Sequence, residues 1–330
     1  VLPVKLAEAD KVFMLVADSR RWQSMPADAV KAEIRDMAEH GINALSIVTA
    51  PEAFPLLEDE NGRITGADFD KLGEYLKYAV SLGINRQLDF SSTAPMLWFL
   101  PEFGINHRAT NATHEYGKDF TIRHPDKASV THIDTRGFQG IWTPRRYKLS
   151  VNYHLTGNAR AQVVLSTYDV NRRKSQPELR GELKSNDSFS TVEWEIDTAP
   201  PTSNVRFSLA LTGEGELKIR EIRLSPLDRP ELNYLANGRL QRSIDDFDYN
   251  REWPEAFKTA FQSAVKAACD EGRKLGFASV DVQGTDEAGN NPKTERKEVQ
   301  ELENVRAAGE KAFCNLSPDL GRKAVGHLDE

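Results

Sequence analysis

The chain has 330 residues, of which 39% are hydrophobic, with 15 Phe, 8 Tyr and 5 Trp, and it carries a formal net charge of −7. That is enough chain for one large domain or two smaller ones and enough apolar content for a packed core, which excludes global disorder. The acidic balance disfavours nucleic acid as a general partner, because phosphate binding needs a basic face. No apolar run approaches the roughly 20 residues of a membrane span, and Cys269 and Cys314 lack both CxxC spacing and a His cluster, so no disulfide framework, zinc site or other cofactor is expected.

In chain order, VFMLVAD (12–18) predicts a short buried strand. Pro26 then opens PADAVKAEIRDMAEHG, a helix with Val30, Ile34, Met37 and Ala38 on one face and Gly41 as its stop. INALSIV (42–48) is the next strand. Asp68 caps a second helix, FDKLGEYLKYAVSLG, with Leu72, Leu76 and Ala79 as its stripe and Gly83 as its stop, and INRQLDF (84–90) is the third strand. Strand, helix, Gly-Ile, strand, repeated twice, is the pattern of βα units and a parallel sheet.

After Phe90 the pattern changes. KDFTIRH, RRYKLSVNYHL, AQVVLSTYDV, STVEWEIDT, NVRFSLALTG and ELKIREIRLSP are short, mostly alternating and separated by Gly, Pro, Asn and Ser turns, which predicts an all-β sandwich. WPEAFKTAFQSAVKAACDEGRKLG (253–276) then reads as a helix, FASVDVQ (277–283) as a strand, PKTERKEVQELENVRAAG (292–309) as a helix and KAFCNLS (311–317) as a strand. The helix at 253–276 is the one due after the third strand, so the sandwich reads as an insertion. The fold expected is α/β: a partial (β/α)8 TIM barrel, strands 1–5, with an inserted all-β sandwich. The divisions are 1–104 for the first barrel part, 105–228 for the sandwich and 229–330 for the barrel continuation. A doubly wound sheet competes, but VADSRRW is not G-x-G-x-x-G, so nucleotide binding has little support. The chain starts at Val1 without a signal peptide and stops at Glu330, soon after the helix-like DLGRKAVGHL begins; a piece of a longer protein is expected.

The stretch SVDVQGTDEAGNNPKTERKE (279–298) places Asp286 and Glu287 just past the fourth strand, at the rim where barrels carry catalytic residues. Neighbours on a regular strand face opposite ways, so the two converge only if the backbone bends, which Gly284 and Gly289 permit. The plainer alternative is an acidic loop, with Asp286 turning the chain and Glu287 solvated. Asp18, Arg20, Arg21 and Trp22 after the first strand, Asp89 at the end of the third and Asn315 at the end of the fifth are further rim candidates for substrate binding. Trp98 and Trp253 flank the insertion and offer either stacking faces for a sugar ring or interdomain packing. Trp194, alternating with Val192 and Ile196, reads as sandwich core; Trp142 reads equally as core or platform. His107, His114, His124 and His132 share no ligand spacing and read as loop or surface residues.

TDEAGN resembles the acid-bearing segment of glycoside hydrolase barrels, in particular the Asp-Glu pair of substrate-assisted hexosaminidases such as glycoside hydrolase family 123 and related glycosidase-like barrels. The insertion, with YKLSVNYHLTGNARAQVVLSTYD, VEWEI and GEGELKIREIRLSP, resembles carbohydrate-binding jelly-roll modules, with Arg220 where such modules often carry an aspartate. The resemblance implies a glycoside hydrolase acting on oligo- or polysaccharide. In the substrate-assisted route on a 2-acetamido sugar, Asp286 holds the amide and Glu287 is the acid; in the two-carboxylate route, Glu287 is the acid/base beside a second carboxylate. Both routes stay open. The alternative is a non-catalytic carbohydrate-binding or scaffold protein, and a third reading, a purely structural sandwich, predicts no exposed aromatic platform. An extracellular or periplasmic location follows from the substrate class alone.

Overall fold

The computed structural model describes residues 14–49, 56–58, 64–67, 70–84, 87–92, 104–241 without 136 and 236, and 279–282, together with Gln262, Glu303 and Ala307. Two compact units divide the chain: Val1–Phe54, Ile64–Met96 and Asp248–Glu330 form one, and Pro55–Arg63 with Leu97–Phe247 the other.

In the first unit, strand β1 (Met14–Asp18) leads into helices α1 (Ser19–Ser24) and α2 (Ala27–Glu39), then β2 (Ala44–Thr49). After the short strand β3 (Leu56–Glu58), which falls in the other unit, the first unit resumes with β4 (Ile64–Ala67), α3 (Asp70–Ser81) and β5 (Gln87–Ser92). Helix α2 buries Val30, Ile34 and Met37, and α3 buries Leu72, Tyr75, Leu76 and Ala79, the stripes that a 3.6-residue period dictates. Both helices end in the same device. The N–H of Gly41 donates to the Ala38 carbonyl and that of Ile42 to Met37, both at 3.0 Å, with Gly41 at φ +82°. Gly83 and Ile84 repeat this on Val80 and Ala79, with Gly83 at φ +91°. A left-handed residue here satisfies the last free carbonyls, and glycine adopts it without a Cβ penalty.

The second unit is the sandwich. Its strands are β6 (Ile105–Thr110), β7 (Thr113–Glu115), β8 (Phe120–His124), β9 (Val130–Thr135), β10 (Gln139–Gly140) and β11 (Arg145–Gly157). They continue as β12 (Arg160–Asp169), β13 (Leu179–Leu183), β14 (Ser190–Thr198), β15 (Thr202–Thr212) and β16 (Gly215–Pro226). One sheet has the order β13-β12-β15-β9-β6, with β10 on β15; the other has β14-β11-β16-β8-β7. All pairings are antiparallel. Alternation fills the space between the sheets: Tyr147, Leu149, Val151, Tyr153 and Leu155 of β11 face Val163 and Leu165 of β12 and Phe207 and Leu209 of β15 as buried side chains.

The last described strand, β17 (Ser279–Val282), belongs to the first unit and completes a four-stranded parallel sheet of order β1-β2-β5-β17. Among the described residues the barrel expected from the sequence is not formed. The described residues are mostly β, in the two antiparallel sheets of the sandwich with few helices, and the parallel strands form an open strip with β1 and β17 at its edges. Repeated strand–helix units dictate parallel pairing, but closure needs a full ring of tilted, staggered strands, which no local pattern encodes. The expected fifth strand (311–317) lies outside the described residues.

Candidate functional site

Of the residues singled out in the sequence, Asp286, Glu287, Trp98, Trp253 and Asn315 lie outside the described residues. Asp18 is the last residue of β1, Arg20 lies on α1, and Asp89 falls inside β5 opposite Ser46 and Ser279 rather than at its end. Trp22 is 1% exposed and meets Tyr75 edge-on at 6.0 Å, so its ring is packing within the first unit. Trp142 resolves to core at 2% exposure; its backbone N–H donates to the Tyr147 hydroxyl, which donates in turn to the Trp142 carbonyl at 2.6 Å. Trp194 is half-buried on edge strand β14, and a Cβ built on Gly181 of β13 would lie 2.3 Å from its ring. The indole therefore lies directly on the Gly181 backbone, closing the open side where the two sheets' edge strands meet.

Two of the four histidines depart from expectation, while His114 and His132 are exposed as expected. His107 and His124 are buried, because each sits at an inward position of its strand. His107 lies 4.4 Å from His114, 5.8 Å from Tyr116 and 4.8 Å from Phe120. His124 links the sheets: Nδ1 is 2.8 Å from the Gly213 carbonyl and Nε2 is 2.8 Å from Thr131 Oγ1. A carbonyl only accepts, so Nδ1 carries the hydrogen and Nε2 accepts from the Thr131 hydroxyl. Burial pushes the imidazole's pKa down, partly offset by the Gly213 carbonyl and the charge of Asp126.

What distinguishes the sandwich chemically is the outward face of the β13-β12-β15-β9-β6 sheet. Since Val163, Leu165, Phe207, Leu209 and Ile133 point inward, their alternates point out. Register aligns Arg180, Val164, Ser208, Asp134 and Asn106 in one row across five strands. On one side of that row Ser166 is opposite Arg206, and beyond them Tyr168 is opposite Asn204. The short strand β10 pairs with β15 at Asn204 and Val205, which brings the preceding residue, Phe138, against Tyr168. The two half-exposed rings meet edge to face, with centroids 4.9 Å apart at 80°. The guanidinium carbons of Arg172 and Arg206 lie 5.2 and 5.4 Å from the Phe138 centroid.

Polar groups surround this pair. Glu178 accepts from Ser166 Oγ at 3.0 Å, from Lys174 Nζ at 2.5 Å and from Arg180. These donors, Lys174 foremost, hold the Glu178 carboxyl down at about 2, so it is ionised at any ordinary pH. Farther along, Arg108 donates to Asp134 at 2.8 Å. Asn106, Asn204 and Ser166 are themselves buried, so the exposed strip consists of the two half-exposed rings and the charged side chains around them. Such a surface can stack on the C–H face of a ring while exchanging hydrogen bonds with hydroxyls.

No protein-family model matches the chain, and no curated protein matches it. The sandwich resembles carbohydrate-binding modules among solved structures. A family 61 module solved in complex with β-1,4-galactotriose matches at 12% identity and a TM-score of 0.28, covering 36% of this chain and 88% of that one. A family 4 module matches at 10% identity and 0.28, over 38% and 96%. The enzymatically active domain of tailspike protein 4 of bacteriophage CBA120 matches at 10% identity and 0.33, over 40% of this chain and 20% of that one.

Among the described residues, no group of three or more His, Cys, Asp or Glu side chains is arranged to hold a metal ion, and no helix is long and apolar enough to cross a membrane. Sequence reasoning passed over Phe138 and Tyr168. Strand parity alone assigns Tyr168 outward, because Val163, Leu165 and Thr167 alternate inward beside it. Nothing local brings Phe138 to it, since their contact depends on the pairing of β10 with β15.

Proposed function

We propose that the sandwich binds carbohydrate on the outward face of the β13-β12-β15-β9-β6 sheet. Phe138 and Tyr168 supply the stacking surface, and the exposed Arg206 and half-buried Asp134 supply donors and acceptors for hydroxyl groups. The observation that carries this is the outward aromatic pair set among polar side chains. A purely structural sandwich predicts no such platform. Sugar rings are apolar on their C–H faces and polar at their edges, the complement of rings bordered by hydrogen-bonding groups. Extracellular or periplasmic polysaccharide is the ligand class that fits, and the location follows from the ligand class alone.

Affinity electrophoresis of the full chain through a panel of soluble polysaccharides tests the reading. Retardation by at least one glycan, lost in Phe138→Ala, is the expected result. No retardation by any glycan, or equal retardation of the variant, overturns it. Cleavage is a separate matter: it would depend on Glu287 as acid and Asp286 beside it, and no structural observation favours it over binding alone. Release of reducing sugar by the wild type, absent in Glu287→Gln, is what would establish it.

A further inference from the structure

Granted that the face is a glycan site, we propose that it selects sugars carrying an anionic substituent, a carboxylate or a sulfate, and that Arg172 and Arg206 do the selecting. Four basic side chains near the aromatic pair divide into two kinds. Lys174 and Arg180 are both committed to Glu178, whereas Arg172 and Arg206 face no carboxylate among the described residues. Both of the latter are exposed, and both lie against the Phe138 ring. A guanidinium resting on an aromatic ring is shielded from water on one side and keeps its N–H edge open for a partner in the ring's plane. Both thus hold N–H groups next to the aromatic pair.

Arg172 reaches this place at a conformational cost. Its φ is +62°, a region that residues with a Cβ seldom occupy. The nearest acid in sequence, Asp169, holds the turn instead of pairing with it: Asp169 Oδ1 accepts from the N–H groups of Asn171 at 2.9 Å and Arg173 at 2.8 Å, and its carbonyl accepts from the Arg172 N–H at 3.0 Å. Both carboxylates beside the pair, Asp169 and Glu178, are thus engaged elsewhere, and the two guanidiniums lack the anion that their planar forks fit. The chain as a whole is acidic, with a net charge of −7, so its overall field does not gather polyanions. Any preference for an anionic glycan has to arise from a local feature such as this one.

The test is isothermal titration of the full chain with an oligogalacturonate and its methyl ester, and with a carrageenan oligosaccharide and its desulfated form. The acidic form of one pair is expected to bind about three- to tenfold more tightly than its neutral counterpart. Which pair shows the preference identifies carboxylate or sulfate as the group read. Arg172→Gln should reduce that preference while leaving the neutral form's affinity and the melting temperature unchanged, Arg206→Gln should reduce the preference and also weaken the neutral form through the lost hydroxyl contact, and Phe138→Ala should weaken both forms. Equal affinity for acidic and neutral forms, or a preference that survives in both arginine variants, overturns the proposal and leaves the glycan-binding reading standing. Equal affinity for an oligothymidylate of matching charge also overturns it, by showing a general taste for anions. Failure of every glycan to bind, neutral ones included, overturns the reading of the face and the proposal with it.

Discussion

On the outward face of the β14-β11-β16-β8-β7 sheet, basic side chains stand beside carboxylates in short cross-strand ladders. Arg146 meets Glu195 at 2.6 Å and Asp197 at 3.0 Å, Lys148 meets Glu193 at 3.0 Å, and Arg123 meets Glu216 at 2.6 Å. Even Arg220, the extra residue at the β16 bulge, is paired with Asp119 at 2.9 Å and covers Phe189 at 4.0 Å. On the opposite outward face, two guanidiniums lie beside an aromatic pair with no carboxylate facing them among the described residues. The same β-strand alternation produced both faces. One is self-neutralised and asks nothing of the solvent; the other is chemically incomplete, and incompleteness is what points to a ligand.

The sharpest way to break this contrast is to remove one aromatic ring from each face. Phe138→Ala should weaken glycan binding by about thirtyfold, close to 2 kcal/mol, as loss of a central aromatic anchor does. Phe189→Ala, on the ion-paired face, should leave binding unchanged. Titrating both variants with one polysaccharide decides it, and comparable losses would erase the distinction between the faces.

The two sheets can also be forced apart where their edges meet. Gly181→Ala puts a methyl group into the Trp194 ring, at 2.3 Å from its nearest atom. About 1.5 kcal/mol of destabilisation is expected for overpacking of this kind. For a domain of this size that lowers the melting temperature by roughly 3–6 °C, readable by calorimetry. A variant as stable as the wild type would mean that the indole is free to move aside.

Much of this architecture can be read from sequence and part of it cannot. AQVVLSTYDV and NVRFSLALTG alternate so regularly that the strands and their buried faces follow from them, and the Gly-Ile stops mark the helix ends at Gly41 and Gly83. The barrel was over-reading. βα repeats specify how neighbouring strands pair, whereas closing the sheet is a property of the whole ring. The site was sought in tryptophans and in strand-end charges, which are conspicuous one at a time. Phe138 and Tyr168 are conspicuous only together, thirty residues apart, once β10 has paired with β15. His107 and His124 were misjudged for a related reason, since a histidine at an inward parity is read as polar and therefore exposed until its partners in the other sheet are known.

His124 gives the contrast a pH handle inside the sandwich. Its folded pKa lies below the ordinary value near 6.5, so the fold binds fewer protons than the unfolded chain as pH falls through that range. The stability it contributes is complete above about 6.5 and is lost as the pH falls through the lowered folded value. Asp126 adds to this loss only at lower pH, because hydrogen bonds from Asn111 and from the Ala128 N–H hold its carboxyl below the usual range. Between pH 7.5 and 5 the melting temperature should therefore fall, and His124→Gln should flatten the dependence. An unchanged slope in the variant would assign the acid sensitivity to other groups.

The smallest effect is expected where the ion pairs are most numerous. Arg146→Ala removes two contacts at once, yet Arg146, Glu195 and Asp197 are all well exposed, with side chains 61%, 58% and 79% accessible. Water screens such pairs and holding long side chains in place costs entropy, so a loss of a few tenths of a kcal/mol is expected, shrinking further at high salt. Glycan affinity should not change at all. A loss of binding in Arg146→Ala at full thermal stability would move the site to the other sheet, because it would show that the neutralised face, and not the incomplete one, carries the ligand.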